Sequence, residues 1–329
     1  MIDTRILGTG SAIPDQVLTN HDLEKMVETS DAWIRERTGI QERRILEKGR
    51  VTSDIAAEAG ARACAAAGVS PTEVDCIILG TVTPDMPMPA TAVFVQQKLG
   101  APVGAAFDLS AACAGFVYGL GIGDAFIKQG MFKRVLVIGV EILSRVLDWK
   151  DRNTCVLFGD AAGAVLLGPS ERGARPRGIL STHLLADGAG ADSLFIPGGG
   201  SRHPTTAESL AENLHVVKMQ GRSVFAHAVR NIASACQTAI DANGLRAEEI
   251  DLVVAHQANL RIVEAVAQRV GLPMSKFYLN IAKYGNTSSA SIPVALDEAV
   301  REGRAKEGMN VLFCALGAGF SWGSALYRW

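Results

Sequence analysis

The chain repeats itself, and that limits its fold more than any other feature. Residues 68–81, GVSPTEVDCIILGT, lie over 244–257, GLRAEEIDLVVAHQ, at a constant offset. Gly68, Glu73 and Asp75 fall on Gly244, Glu249 and Asp251, and Cys76–Leu79 on Leu252–Ala255. An Ala-rich helical pattern precedes each copy, at Ser53–Ala67 and at Ser223–Asn243. Gly68 and Gly244 stand where a C-cap glycine ends a helix, because glycine takes the left-handed conformation without strain. The short apolar run that follows is too brief for a helix and predicts a buried strand.

The likeness continues along the chain. Second helices are expected at Ala90–Leu99 and Arg261–Val270, and further buried strands at Val135–Val140 and Val311–Ala315. A Gly-rich segment entering a last strand follows each, from Phe158 and from Gly317. The start, MIDTRILGTGSAIPD, reads as a first strand and turn. Two βα-rich halves result, 1–172 and 173–329, joined through the polar, turn-rich Gly168–Gly173. Continuous apolar strands alternating with helices imply an α/β fold with sheets covered on both faces. A duplicated fold of this kind places its site where the halves meet, near the strand ends.

Composition narrows the class. With 329 residues, 48% of them hydrophobic, the chain can bury a large core and is not disordered. A net charge of −2 gives no global sign of nucleic-acid or membrane-surface binding. The uncharged stretch Leu109–Gly123 is mostly Ala and Gly, and shorter than the roughly 20 apolar residues a bilayer span needs. The N-terminus lacks a basic region followed by an apolar core, so no secretory leader is expected and cytoplasm is the expected compartment. Cysteines 64, 76, 113, 155, 236 and 314 form no CxxC pair, so neither a zinc cluster nor a disulfide framework is expected.

Three residues fall at strand-to-helix junctions of the repeat. Cys113, in Asp108–Phe116 (DLSAACAGF), follows the strand-like run Val103–Phe107 and starts an Ala/Gly-rich helix. The dipole and free N–H groups of a helix start favour a thiolate, and the small neighbours let a substrate approach. The other reading is a cysteine packed in a tight helix-to-sheet contact, and the residues alone leave both open. His256 ends the strand Leu252–Ala255, well placed to act in a cleft or to serve as a structural helix-entry histidine. Asn286, in Lys283–Ala290 (KYGNTSSA), precedes the helix Ile292–Glu302 and holds a half-repeat position like that of Cys113. Gly-Asn-Thr-Ser is also ordinary turn and N-cap chemistry.

These segments resemble the condensing enzymes of the thiolase superfamily, and among them the beta-ketoacyl-[acyl-carrier-protein] synthase III family. The resemblance rests on Asp31–Ile40 (DAWIRERTGI), Asp108–Gly115, Phe158-Gly-Asp160, His256–Arg261 (HQANLR), Tyr284-Gly-Asn-Thr287 and Gly317–Gly323 (GAGFSWG), in this order and spacing over nearly the whole chain. It implies a thiolase-like α/β fold, a five-layered αβαβα sandwich, and a homodimer. It implies ping-pong chemistry that initiates fatty acid synthesis. Cys113 would take the acyl group of an acyl-CoA primer. Malonyl-acyl-carrier protein would then lose carbon dioxide, with His256 and Asn286 donating to the oxyanion. The products would be 3-oxoacyl-carrier protein, CoA and CO2.

The resemblance also implies a second oxyanion hole from the backbone N–H groups of Cys113 and Ala318. A CoA site would use Trp33, Arg37 and Arg152, with Asn259 at the pantetheine arm. Arg261 and Arg269 would form a basic carrier-protein patch. Met88, in the loop Asp85–Pro89, would wall the acyl pocket and admit longer or branched primers. No metal or redox cofactor is implied, since the Gly-rich segments match neither the dinucleotide nor the phosphate-loop pattern. Gly198–Asn213, polar and Gly-rich, reads as a surface loop near the cleft. A second reading is a secondary-metabolism relative with the same Cys-His-Asn set, acting on another acceptor or extender.

Overall fold

The computed structural model describes residues 2–171 and 176–329. The apolar runs are strands, and the Ala-rich patterns are helices. In the first half these are β1 (Ile2–Ala12), α1 (Asp31–Thr38), α2 (Thr52–Ala67), β2 (Cys76–Gly80), α3 (Thr91–Leu99), β3 (Ala105–Leu109), α4 (Gly115–Lys128), β4 (Val135–Ile142) and β5 (Asp160–Glu171). In the second they are β6 (Gly178–Ala186), α5 (Gly221–Ala242), β7 (Leu252–Ala255), α6 (Leu260–Val270), α7 (Ser291–Arg301), β8 (Asn310–Gly317) and β9 (Ser321–Arg328). Local chemistry sets the ends. Asp54 accepts from the Val51 N–H at 2.8 Å to start α2, and Gly68 ends it at φ 65°.

Of the two large sheets, one runs β1-β5-β4-β2-β3 and the other β6-β9-β8-β7. The offset that carries Gly68 to Gly244 also carries β2 onto β7, β4 onto β8 and β1 onto β6, and β9 holds beside β8 the place that β5 holds beside β4. Among the described residues of the two sheets, β3 lacks a full counterpart; a single bridge from Val253 to Phe277 stands in its place. Helices α4 and α7 lie between the sheets, and their apolar faces share one core with both. Helices α2 and α3 cover the outer face of the first sheet, and α5 and α6 that of the second. The order is therefore αβαβα. Strands β2, β4 and β8 are buried along their whole length, which explains sequences that are apolar apart from Glu141 and Asn310. No helix of the described residues is long and apolar enough to cross a membrane.

The same offset corrects the pairing of Asn286 with Cys113. It carries Ala112 to Ser288, and these two residues share an unusual backbone, φ 46° and φ 49°. Ser289 is therefore the true counterpart of Cys113, and Asn286 lies three residues before it. The turn-rich reading of Gly168–Gly173 also fails over its first part. Gly168–Glu171 continue β5 against β1. Pro169 is tolerated there because β4 pairs with β5 only as far as Leu167, so no ladder bond is lost on that side. The expected division at 172/173 lies outside the described residues.

Where the halves touch, there is no room for a side chain. A Cβ on Gly317 would stand 2.5 Å from the Cys113 nitrogen. Gly317→Ala is expected to push the Cys113 turn aside, at a cost of about 1–3 kcal/mol. Thermal denaturation and turnover check this. An unchanged melting temperature together with full activity would refute it.

Candidate active site

Cys113 sits in a single 3-10 turn, Ala112–Ala114, between β3 and α4. It is buried, at 6% exposure, yet it lines two cavities. One, of about 250 Å³, is apolar, walled by Val82, Leu143, Phe158, Leu194 and Val217. The other, of about 130 Å³, also holds His256, Asn286 and Asn259. The thiol thus stands between an apolar chamber and a channel bearing polar groups.

The helix start does not decide the thiol's charge. Burial pushes Cys113 up to about 12, with the Ser288 side chain opposing the rise and the Glu141 carboxylate adding to it. The group is a neutral thiol at pH 7. The thiolate ultraviolet absorbance of the wild type minus that of Cys113→Ala is expected to stay at zero up to about pH 10. A step below pH 8 would mean that the helix N-terminus outweighs burial.

His256 follows β7 directly, its N–H donating to the Cys314 carbonyl at 2.8 Å. Its Nδ1 lies 2.6 Å from the Ser291 hydroxyl at the start of α7. Burial lowers the ring to about 3, so it is neutral. Asn286 is pinned on three sides. Its N–H donates to Leu157 at 2.8 Å, its carbonyl accepts from Gly159 at 3.0 Å, and its Oδ1 accepts from the Ser288 N–H at 2.9 Å. The segment Phe158–Asp160 therefore holds the Asn286 loop, and Asp160 in turn accepts from Leu46 and Ser144. With Oδ1 engaged, the Asn286 side chain meets the channel as a donor.

The expected CoA residues cluster. The guanidinium of Arg37 lies 4.8 Å and that of Arg152 5.4 Å from the centre of the Trp33 ring. Asn259 caps α6 and donates to the Arg37 carbonyl at 3.0 Å, tying this cluster to the channel. Ala318 faces the apolar chamber beside Cys113.

Two family models match this chain. One, 3-oxoacyl-[acyl-carrier-protein (ACP)] synthase III, covers residues 107–191, and its C-terminal companion covers 240–329. A beta-ketoacyl-[acyl-carrier-protein] synthase III of Caldanaerobacter subterraneus is 52% identical over 98% of this chain and 97% of its own. That of Symbiobacterium thermophilum is 53% identical over the same shares. The chain belongs to the 3-oxoacyl-[acyl-carrier-protein] synthase III family. The crystal structure of the Aquifex aeolicus synthase III superposes with a TM-score of 0.91 at 46% identity, over 99% of this chain and all of that one. The priming beta-ketosynthase of the R1128 polyketide pathway is more distant at 34% identity, with a TM-score of 0.90. These likenesses fix the thiolase-type fold and favour the synthase III reading over a secondary-metabolism relative.

Two expectations drawn from the family fare differently in this chain. Arg261 and Arg269 are exposed on α6, but Glu264 is exposed between them and dilutes the positive charge. Met88 does not reach the chamber of its own chain. It is 83% exposed, because Asp85 is held by Ser53 and Thr91 and the loop beyond turns outward. The chamber wall comes instead from Leu194–Ile196 and Val217, which no sequence pattern singled out. Gly198–Asn213 follows that wall as an exposed loop, with a short helix at Ala207–Ala211 capped by Thr206. Ser288, Ser291 and Glu141 were missed as well. Glu141 had a signal: it is the one acid in the buried strand VLVIGVEI.

Proposed function

We propose that the protein condenses an acyl-CoA primer with malonyl-acyl-carrier protein, losing carbon dioxide, to give a 3-oxoacyl-carrier protein. The observation that carries this reading is Cys113 between an apolar chamber and a polar channel. The chamber suits an acyl chain, and the channel suits a pantetheine arm entering from the Trp33 cluster. Cys113 attacks the thioester, and CoA leaves. The N–H groups of Cys113 and Ala318 receive the thioester oxygen. The malonyl thioester then replaces CoA. As its carboxylate departs, negative charge grows on the remaining thioester oxygen. Ser291 donates to His256 Nδ1, which leaves the ring proton on Nε2, and His256 and Asn286 both donate to that oxygen. The resulting carbanion attacks the acyl group on Cys113.

Trp33 offers a flat face for adenine, and Arg37 and Arg152 offer charge to phosphate. Trp33→Ala is expected to raise KM for the acyl-CoA about 5- to 100-fold, with the acylation rate at saturation nearly unchanged. Initial-rate measurements separate the two, and a fall in rate at saturation with KM constant would reject the CoA site. Arg261 and Arg269 are the residues of this chain that would meet an acidic carrier protein. A homodimer is proposed through β3, whose half-buried apolar residues form the open edge of its sheet.

Intact-protein mass after brief mixing with acetyl-CoA, butyryl-CoA or octanoyl-CoA tests the reading. One acyl group on Cys113 is expected, and the chain that loads fastest names the primer class. No adduct with any of the three would overturn acyl-CoA priming.

A further inference from the structure

The neutral thiol raises a question that the trio leaves open: where its proton goes during acylation. His256 is a poor acceptor. Burial weakens it as a base, and its Nδ1 is engaged by Ser291. The hydroxyl beside Cys113 is that of Ser288, which lines the same apolar chamber. Ser288 Oγ in turn donates to Glu141 Oε1 at 3.1 Å. Glu141 is fully buried at the end of β4, with no ion pair among the described residues. It is held instead by the Val82 N–H at 3.1 Å, the Thr83 hydroxyl at 2.8 Å and the Ser289 hydroxyl at 3.2 Å. A lone carboxyl in such a place is costly to bury and calls for a reason.

We propose that Glu141 is the proton acceptor of Cys113, reached through the Ser288 hydroxyl. This rests on the acyl-transfer reading above. As Cys113 sulfur bonds to the thioester carbon, its proton passes to Ser288 Oγ, and the Ser288 proton passes to Glu141. The carbon–sulfur bond to CoA breaks, and the CoA thiolate takes a proton from water. In the second half-reaction the carbanion expels the Cys113 thiolate, and the proton returns from Glu141 through Ser288. Glu141 thus stores one proton for the lifetime of the acyl-enzyme. Burial raises its carboxyl to about 7, so it can both take and return a proton near neutrality. Around it, Cys113 is the titratable group that feels its charge. Asp160 on β5 is held by Ser144, Asp297 on α7 by Thr9, Ser11 and Arg301, and Asp124 on α4 by Lys128.

The test is the single-turnover rate of Cys113 acylation by acetyl-CoA, followed by intact mass from about pH 6 to pH 9, in the full chain. Wild type is expected to rise and then level off once Glu141 is ionised. Glu141→Gln keeps the shape of the side chain but not the base. It is expected to lose about 100-fold near pH 7 and to rise tenfold per pH unit without levelling. Ser288→Ala breaks the path while leaving the carboxyl, and is expected to behave alike. It decides the matter should Glu141→Gln fail to fold. A merely structural Glu141 would scale the rate equally at every pH. Variants whose profiles keep the wild-type shape would overturn the relay. A wild type that is not acylated at all would overturn the priming reading instead.

Discussion

Replacing Cys113 by alanine abolishes condensation, with turnover lower by a factor on the order of 10⁴ to 10⁶. The size of the effect follows from the ping-pong order. Without the thiol there is no acyl-enzyme, and the remaining groups can only bind and polarise substrates. The variant is expected to fold, because the change removes one small buried group from a turn fixed on both sides by backbone. It is also expected to take up no acyl group anywhere. Cys64, Cys76, Cys155, Cys236 and Cys314 are buried, and none of them lines either cavity at the site. Mass spectrometry of the variant after incubation with the primer checks this, and an adduct on another cysteine would displace Cys113 as the nucleophile.

The second large effect belongs to Asn286. Asn286→Asp keeps Oδ1, and with it the bond from the Ser288 N–H, but removes both side-chain donors. The loop is held from Leu157 and Gly159 as well, so it is expected to stay in place. Loss of one oxyanion donor costs about 100- to 1000-fold, and the new carboxylate repels the developing charge. Decarboxylation of the malonyl thioester is therefore expected to fall by at least that factor, while acylation of Cys113 by acyl-CoA is nearly kept. Carbon dioxide release and acyl loading, measured on the same preparation, separate the two steps. Equal losses in both would show that Asn286 shapes the pocket rather than serving one step.

The residues that were legible in the sequence are those whose surroundings are local. The strand at Leu252–Ala255 was visible because four apolar residues stood between a helix-ending glycine and a polar turn. Cys113, His256 and Asn286 were visible because each lies beside such a strand or ahead of a helix. The chamber was not visible. Leu194–Ile196 and Val217 are brought to Cys113 by a two-residue strand pair, Leu194–Phe195 against Lys218–Met219, too short to carry a periodicity. Neither was the charge on Cys113, since dipole and burial oppose each other and only packing sets the burial. Nor was the outward turn of the Met88 loop, since a loop's composition does not say which way it points.

The two entry turns at Ala112 and Ser288 bear on ancestry. The offset that carries Cys113 to Ser289 carries Glu141 to Gly317. Gly317 is the residue whose bare Cα leaves room for the Cys113 nitrogen, and Glu141 accepts from Ser289. One half thus has a sulfur facing a glycine, and the other a hydroxyl facing an acid. A symmetric progenitor would have carried two equal half-sites in one pocket, competing for the same substrate. This chain carries one thiol and one hydroxyl at the two places instead, and the two half-sites do not compete.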